Sequence, residues 1–143
     1  MGVGECAGEV VAPIDFQLTA CEREAFEAQL KLEAGDVDAA ARIAYESMLH
    51  AALALLKLQF TVVPNDPDRI VAEFQKNFYD TQLFFDPFTG GKFAQYFFQA
   101  HERRGGKYNA ESAHYLIEEA QLFIEAAHSC YARMAAQPAA VTA

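Results

Sequence analysis

The chain has 143 residues, of which 52% are hydrophobic, and a formal net charge of −9 at pH 7. This length allows one domain with a core that needs no staple. The acidic field disfavours general binding to nucleic-acid phosphates. Alanine, leucine and phenylalanine outnumber valine and isoleucine, which favours helices over sheets. We therefore expect a helical protein without a nucleic-acid partner.

Residues 1–17 are predicted to form an N-terminal arm or linker. They begin glycine-rich and contain Pro13, which disfavours a helix through that point. A helical bundle domain is predicted at 18–137 and a disordered tail at 138–143.

The sequence predicts a cytoplasmic location and no membrane contact. The N-terminus lacks the basic segment and long apolar run of a signal peptide. The apolar run Ala51–Leu56 is too short to span a bilayer. The three cysteines form no Cys-x-x-Cys pair, so reduced thiols fit better than a zinc site or a disulfide framework.

Capping signals predict the first two helices. Thr19 and Glu22 have the spacing of a capping box at the start of the first helix, which Gly35 ends. Asp36 is the predicted N-cap of a long second helix that runs to about Phe60.

Three further helices follow in the second half of the chain. Asp66 as N-cap and Pro67 in the first turn begin the third helix. The fourth is predicted at about 92–103, and Asn109 caps a fifth at about 110–136.

The second and fifth helices carry apolar residues at helical spacing. Two stripes on the second helix predict that it is buried between neighbours or at a dimer interface. The stripes are Ala41, Tyr45, Met48, Ala52 and Leu55, and Leu49, Leu53, Leu56 and Phe60. The predicted fold is an all-α, antiparallel bundle of about five helices.

Two Gly-Gly-Lys segments raise the question of a phosphate-binding loop. Such a loop needs Gly-x-x-x-x-Gly-Lys-Ser/Thr between a strand and a helix. Here Phe93 and Tyr108 follow the lysines, and no strand is predicted before either segment. Gly90-Gly91 and Gly105-Gly106 are therefore predicted to be helix corners that adopt positive φ.

Basic residues near these corners are candidates for binding a small anion. The alternative is that they are solvated helix ends. The candidate ligand-binding residues are Lys92, Arg103, Arg104, Lys107 and Tyr108.

A polar ladder is predicted on the second helix. Arg42, Glu46 and His50 follow one another at i,i+4 spacing. They either form salt bridges along one helix or place a buried Glu46–His50 pair at an interface.

The fifth helix contains two Glu-x-x-His pairs, Glu111–His114 and Glu125–His128. This spacing is typical of ligands in di-iron bundles. Both pairs lie on one helix, about 20 Å apart by helical rise, so they cannot share a metal within one chain. We expect a polar flank there and neither a metal nor another cofactor.

The segments ARIAYESMLHAALALLK and YNAESAHYLIEEAQLFIEAA, with the aromatic stretch between them, resemble HEPN domains of prokaryotes over residues 20–136. The resemblance implies a small helical bundle that pairs as a homodimer. Catalytic members carry Arg and His separated by four to six residues. Seven residues separate Arg42 from His50, and nine separate Arg104 from His114, so ribonuclease activity is not implied. Other members bind nucleotides, for which only the basic corner could serve here.

A narrower resemblance concerns MGVGECAGEVV and FYDTQLFFDPFTGGKFAQYFFQAHE. These segments look like parts of a HEPN-type region found in nitrite/sulfite reductase haem-protein polypeptides. Such reductases hold sirohaem and a four-iron cluster through four cysteines, whereas this chain has three. The resemblance implies a non-catalytic accessory or docking domain whose partner is a reductase subunit or parent polypeptide. The alternative is a domain that binds a small ligand or nucleotide.

Overall fold

The computed structural model describes the backbone of residues 3–136 and the side chains of residues 14–136. In that part of the chain there are five α-helices and no strand, so the all-α prediction is confirmed. The helices are α1 (Val3–Glu33), α2 (Val37–Leu56), α3 (Pro67–Phe74), which continues as a π-helical turn (Gln75–Tyr79), α4 (Lys92–Arg103) and α5 (Ala110–Ala135).

Helix α1 begins earlier than predicted. It runs through Pro13, and the Thr19 hydroxyl donates to the Asp15 carbonyl oxygen at 3.1 Å within the helix. The predicted capping box and helix start at Thr19 are therefore wrong. Proline removes one backbone donor, but a buried stripe holds the following turns against the core. The stripe is Ile14, Leu18, Cys21, Ala25 and Ala28.

The predicted domain boundaries are not tested by where α1 begins. Residues 3–17 are helical, while the domain boundary at residue 18 stays a prediction. The predicted tail at 138–143 lies outside the described residues.

The α1–α2 corner forms as its sequence predicts. Gly35 has a φ of 89°, and its N–H donates to the Leu32 carbonyl oxygen at 2.9 Å. The Asp36 side chain accepts from the Ala39 N–H and caps α2. Glu24 of α1 contacts His50 of α2, and Gln17, which is earlier in α1, contacts Lys57 at the end of α2. The two helices are therefore antiparallel.

Later helix starts also agree with the sequence. Asp66 caps α3, with Pro67 in the first turn, and Asn109 caps α5. Gly90 and Gly105 have positive φ as predicted, whereas Gly91 has a φ of −93°. Gly91 is needed for another reason, because a Cβ there would lie 2.6 Å from the Tyr79 ring.

Helix α2 is the centre of the bundle and ends at Leu56, before the predicted end at Phe60. It contacts α1, α3, α4 and α5. Leu49 and Leu56 of the second stripe are buried, and Leu53 packs partly buried against the core. Apart from Phe60, which lies beyond the end of α2 and is 38% exposed, both stripes face neighbours within this chain, as the first alternative predicts.

Aromatic rings from α3, α4 and α5 pack around Phe74. Its ring centroid lies 5.6 Å from that of Phe97 and 5.6 Å from that of Phe123, both edge-to-face. Phe78 stacks on it at 5.5 Å from the π-helical turn. Such geometries are favourable for aromatic pairs, so this cluster fixes α3 and α4 on one side of α2.

His50 joins α2 to α1 and should make stability depend on pH. The Glu24 carboxylate lies 2.9 Å from His50 Nδ1, and this hydrogen bond raises the histidine pKa, with burial opposing it. A raised folded-state pKa stabilises the fold below the unfolded value of about 6.5. That contribution disappears as the pH rises through the folded pKa.

We predict that His50→Gln lowers the free energy of unfolding at about pH 6 but not at about pH 9. The loss is up to about 1 kcal/mol, because the pair is half-exposed and screened by solvent. Urea denaturation at the two pH values measures it. His114→Gln is the matched control, since its partner Glu118 lies on the same helix. An equal effect at both pH values would contradict the prediction.

Candidate functional site

A cleft of about 580 Å³ opens between the first half of α2 and the loop from α4 to α5. We call it the corner cleft. Its polar and aromatic lining comes from two elements that are far apart in sequence. Helix α2 supplies Asp38, Arg42 and Tyr45, and the loop supplies Arg104, Lys107 and Tyr108.

The local sequence explains the path of this loop. Helix α4 ends at Arg103, and Arg104 is extended with a ψ of 141°. Gly105 then reverses the chain with a φ of 81°, a conformation that favours glycine. The Gly106 N–H donates to the Arg103 carbonyl oxygen at 3.1 Å and closes the turn.

A chain of hydrogen bonds joins a hydroxyl, an imidazole and a carboxylate, beginning at Tyr45 in the wall of the cleft. Tyr45 Oη lies 2.7 Å from His101 Nδ1, and His101 Nε2 lies 2.8 Å from Asp68 Oδ1. These side chains come from α2, α4 and α3 respectively, and we call them the Tyr45–His101–Asp68 relay. The His101 side chain is only 13% exposed, whereas Asp68 is 67% exposed.

Arg104 holds the outer end of the relay. Its guanidinium donates to Asp68 Oδ1 at 2.8 Å and to the His101 carbonyl oxygen at 2.6 Å. The same arginine lines the corner cleft. One side chain therefore touches both the relay and the cleft.

The partners of His101 indicate where its protons lie. A carboxylate only accepts hydrogen bonds, so the contact with Asp68 requires a proton on Nε2. The Arg104 guanidinium, 3.2 Å from Nε2, then donates to Asp68 and to the His101 carbonyl oxygen and not to the ring. In the neutral ring, Nδ1 then accepts from the Tyr45 hydroxyl. Burial raises the pKa of Tyr45, an effect that Arg104 opposes and Asp68 and Glu46 reinforce. The phenol is thus a protonated donor near neutral pH, suited to hydrogen bonding and proton transfer.

The structure brings together three of the five predicted ligand-binding residues. Arg104, Lys107 and Tyr108 line the corner cleft. Arg103 lines a neighbouring cavity instead, with its guanidinium carbon 5.1 Å from the Tyr108 ring centroid. Lys92 begins α4, about 17 Å from its other end by helical rise, and is not part of the cleft.

The predicted ladder on α2 forms only in part. Arg42 and Glu46 make the i,i+4 ion pair at 3.4 Å. His50 contacts Glu24 of α1 instead of Glu46, so that half of the ladder is wrong. Arg42, predicted only as a ladder residue, lines the corner cleft.

The histidines of both Glu-x-x-His pairs of α5 contact glutamates outside their own pair. His114 contacts Glu118 at 3.4 Å. His128 Nε2 lies 3.4 Å from a Glu22 carboxylate oxygen of α1, which is ion-pair distance without hydrogen-bond geometry. Within the described residues no three His, Cys, Asp or Glu side chains are grouped to hold a metal. The four candidate ligands Glu111, His114, Glu125 and His128 are all among the described residues and belong to no such group.

Sequence reasoning missed the relay. Tyr45 and His101 are 56 positions apart, and His101 and Asp68 are 33 apart. No spacing rule relates residues on three different helices, so nothing in the sequence alone pointed to this set.

Comparison with known proteins gives no relative for this chain. No protein-family model matches it, and neither curated proteins nor solved structures yield a significant match. Among the described helices, none is long and apolar enough to cross a membrane.

We predict that Tyr45→Phe lowers the free energy of unfolding by roughly 1–3 kcal/mol, because it leaves the enclosed His101 Nδ1 without its partner. Urea denaturation measures the loss. Tyr115→Phe removes a hydroxyl from a tyrosine that is 55% exposed and should change stability by less than about 0.5 kcal/mol. Equal stabilities of the Tyr45 variant and the wild type would show that the hydrogen bond contributes nothing.

Proposed function

We propose that this chain is a non-catalytic helical domain that binds a small anionic ligand in the corner cleft. The observation that carries the proposal is the convergence of Arg42, Arg104 and Lys107 on one cavity in a chain whose net charge is −9. The volume of about 580 Å³ lies within the range of small-molecule pockets, about 300–1,000 Å³.

The three cations differ in how much of their charge is already paired. Arg42 is paired with Glu46 and Arg104 with Asp68. Within the described residues no ion pair is found for Lys107, which leaves its ammonium group for a ligand. A paired guanidinium also keeps spare N–H donors, because it has five. Anionic oxygens could therefore contact Lys107 and Arg104 together.

Other residues limit where the anion can lie and what it is attached to. Asp38 lines the α2 side and would repel an anion, so the favourable position is on the loop side. Tyr45 and Tyr108 offer aromatic surface in the same cleft, on which a planar ring can stack. Nucleotides combine both features and are the first ligand class to test.

We predict that calorimetry with sulfate, pyrophosphate, AMP and ATP detects binding of at least one of these anions. Lys107→Ala should weaken it about tenfold or more, since a charge-assisted hydrogen bond is lost. Lys92→Ala removes the same charge at the far end of α4 and should leave the affinity unchanged. If none of the four anions binds, or if the two substitutions have equal effects on the affinity, the proposal is refuted.

A second function, docking to another protein chain, is supported by one surface feature. Phe88 is 96% exposed at the tip of a closed turn in which Asp86 Oδ1 accepts from the N–H groups of Phe88 and Thr89. Asp86 and Gly90 also exchange two backbone hydrogen bonds. An aromatic ring held out on a rigid turn is a typical interface anchor. This turn replaces α2 as the hypothetical surface for a homodimer or a redox-enzyme partner.

For this docking role we predict that the wild type is a dimer at micromolar concentration and that Phe88→Ala shifts it to monomer. Multi-angle light scattering measures the mass. Phe16→Ala, at a phenylalanine that is 64% exposed on α1, should leave the dimer intact. A wild-type monomer at this concentration would rule out homodimerisation through the turn.

A further inference from the structure

His101 contacts two residues that line the corner cleft, Tyr45 and Arg104. Three titratable or charged groups surround its ring. Helix α2 contributes the Tyr45 hydroxyl, α3 contributes the Asp68 carboxylate, and the residue after α4 contributes the Arg104 guanidinium, 3.2 Å from Nε2. Glu46, paired with Arg42, also acts on Tyr45. The protonation of His101 therefore depends on charges that border the cleft.

A change in the charge of His101 reverses its hydrogen bond to Tyr45. In the neutral ring Nδ1 accepts the phenolic hydrogen, whereas in the imidazolium both ring nitrogens are donors. Nδ1–H must then donate to Tyr45 Oη, and the phenolic hydrogen is released from His101. Tyr45 is only 8% exposed, and the cleft is the space that it lines. The released O–H is then available to another acceptor, such as an anion in the cleft.

An anion in the cleft and a proton on His101 favour each other. In the empty cleft, the positive charges of Arg104 and Lys107 oppose a further positive charge on His101. An anion bound beside them cancels that opposition and accepts the hydrogen bond that Tyr45 releases. Asp68 balances the imidazolium from the other side at 2.8 Å.

We propose that the corner cleft takes up one proton, on His101, together with a tetrahedral dianion of the sulfate or phosphoryl type. The relay makes this binding sensitive to pH, with the tighter state at low pH. This inference rests on the proposed anion-binding function and adds its regulation. By linkage, the anion raises the proton affinity of His101 by the same factor by which protonation raises the anion affinity.

Sulfate is the probe, because it stays a dianion between about pH 5.5 and about pH 8.5, so any proton taken up on binding is taken up by the protein. We expect sulfate to bind about tenfold tighter at about pH 5.5 than at about pH 8.5. Calorimetry near neutral pH in two buffers of different ionisation enthalpy counts the protons taken up. Long-range ¹H–¹⁵N spectra at constant pH should show the ring nitrogens of His101 moving toward the protonated form when sulfate is added, while those of His50 and His114 do not change.

Two substitutions separate the relay from general electrostatics. His101→Gln should remove the pH dependence and the proton uptake, and Tyr45→Phe should reduce both, while residual sulfate binding through Lys107 persists. His114→Gln should retain both. A pH-independent affinity, a His101 spectrum that sulfate does not change, or no sulfate binding at any pH would each overturn the inference. The anion-binding function itself is refuted separately, if pyrophosphate, AMP and ATP also fail to bind or if Lys107→Ala and Lys92→Ala have equal effects.

Discussion

The burial of the apolar stripes of α2 is the constraint on which the rest of the structure depends. Its small residues Ala40, Ala44 and Ala51 are fully buried, which lets neighbouring helices approach closely. Four other helices contact it, so its position determines theirs. The large side chains of α2 pack into the space between these neighbours, where Met48 and Leu55 are fully buried. A helix that is apolar on two sides needs neighbours on both of them, and α2 leaves only the narrow polar face with Arg42, Glu46 and His50 in water.

The corner cleft lies beside the exposed polar face of the first half of α2. Ala40 and Ala44 pack into the core there, while Asp38 and Arg42 line the cleft together with the α4–α5 loop. Tyr45 lies at the border, with its ring stacked near Phe97 and His101 and its hydroxyl held by the imidazole. The relay therefore joins α2, α3 and α4 through side-chain hydrogen bonds, and one of its members, Tyr45, lines the cleft.

Local signals in this sequence were reliable because their physics is local. Asp36, Asp66 and Asn109 cap helices through side-chain bonds to backbone N–H groups at most three residues away, and Gly35 ends α1 through its own φ. The start of α1 was mispredicted for the opposite reason. Pro13 disfavours a helix locally, but the buried stripe that follows it is held by contacts with other helices, which outweigh that local preference.

The sequence by itself determined the all-α class, the later helix starts and the basic character of the 103–108 corner, since capping, periodicity and charge are properties of neighbouring residues. Only the tertiary structure decided that His50 pairs with Glu24 and that the two stripes of α2 are core. It also assembled the relay and placed Arg42 opposite Lys107. These outcomes depend on the packing of helices whose contacts join residues tens of positions apart, and no short-range pattern encodes that distance.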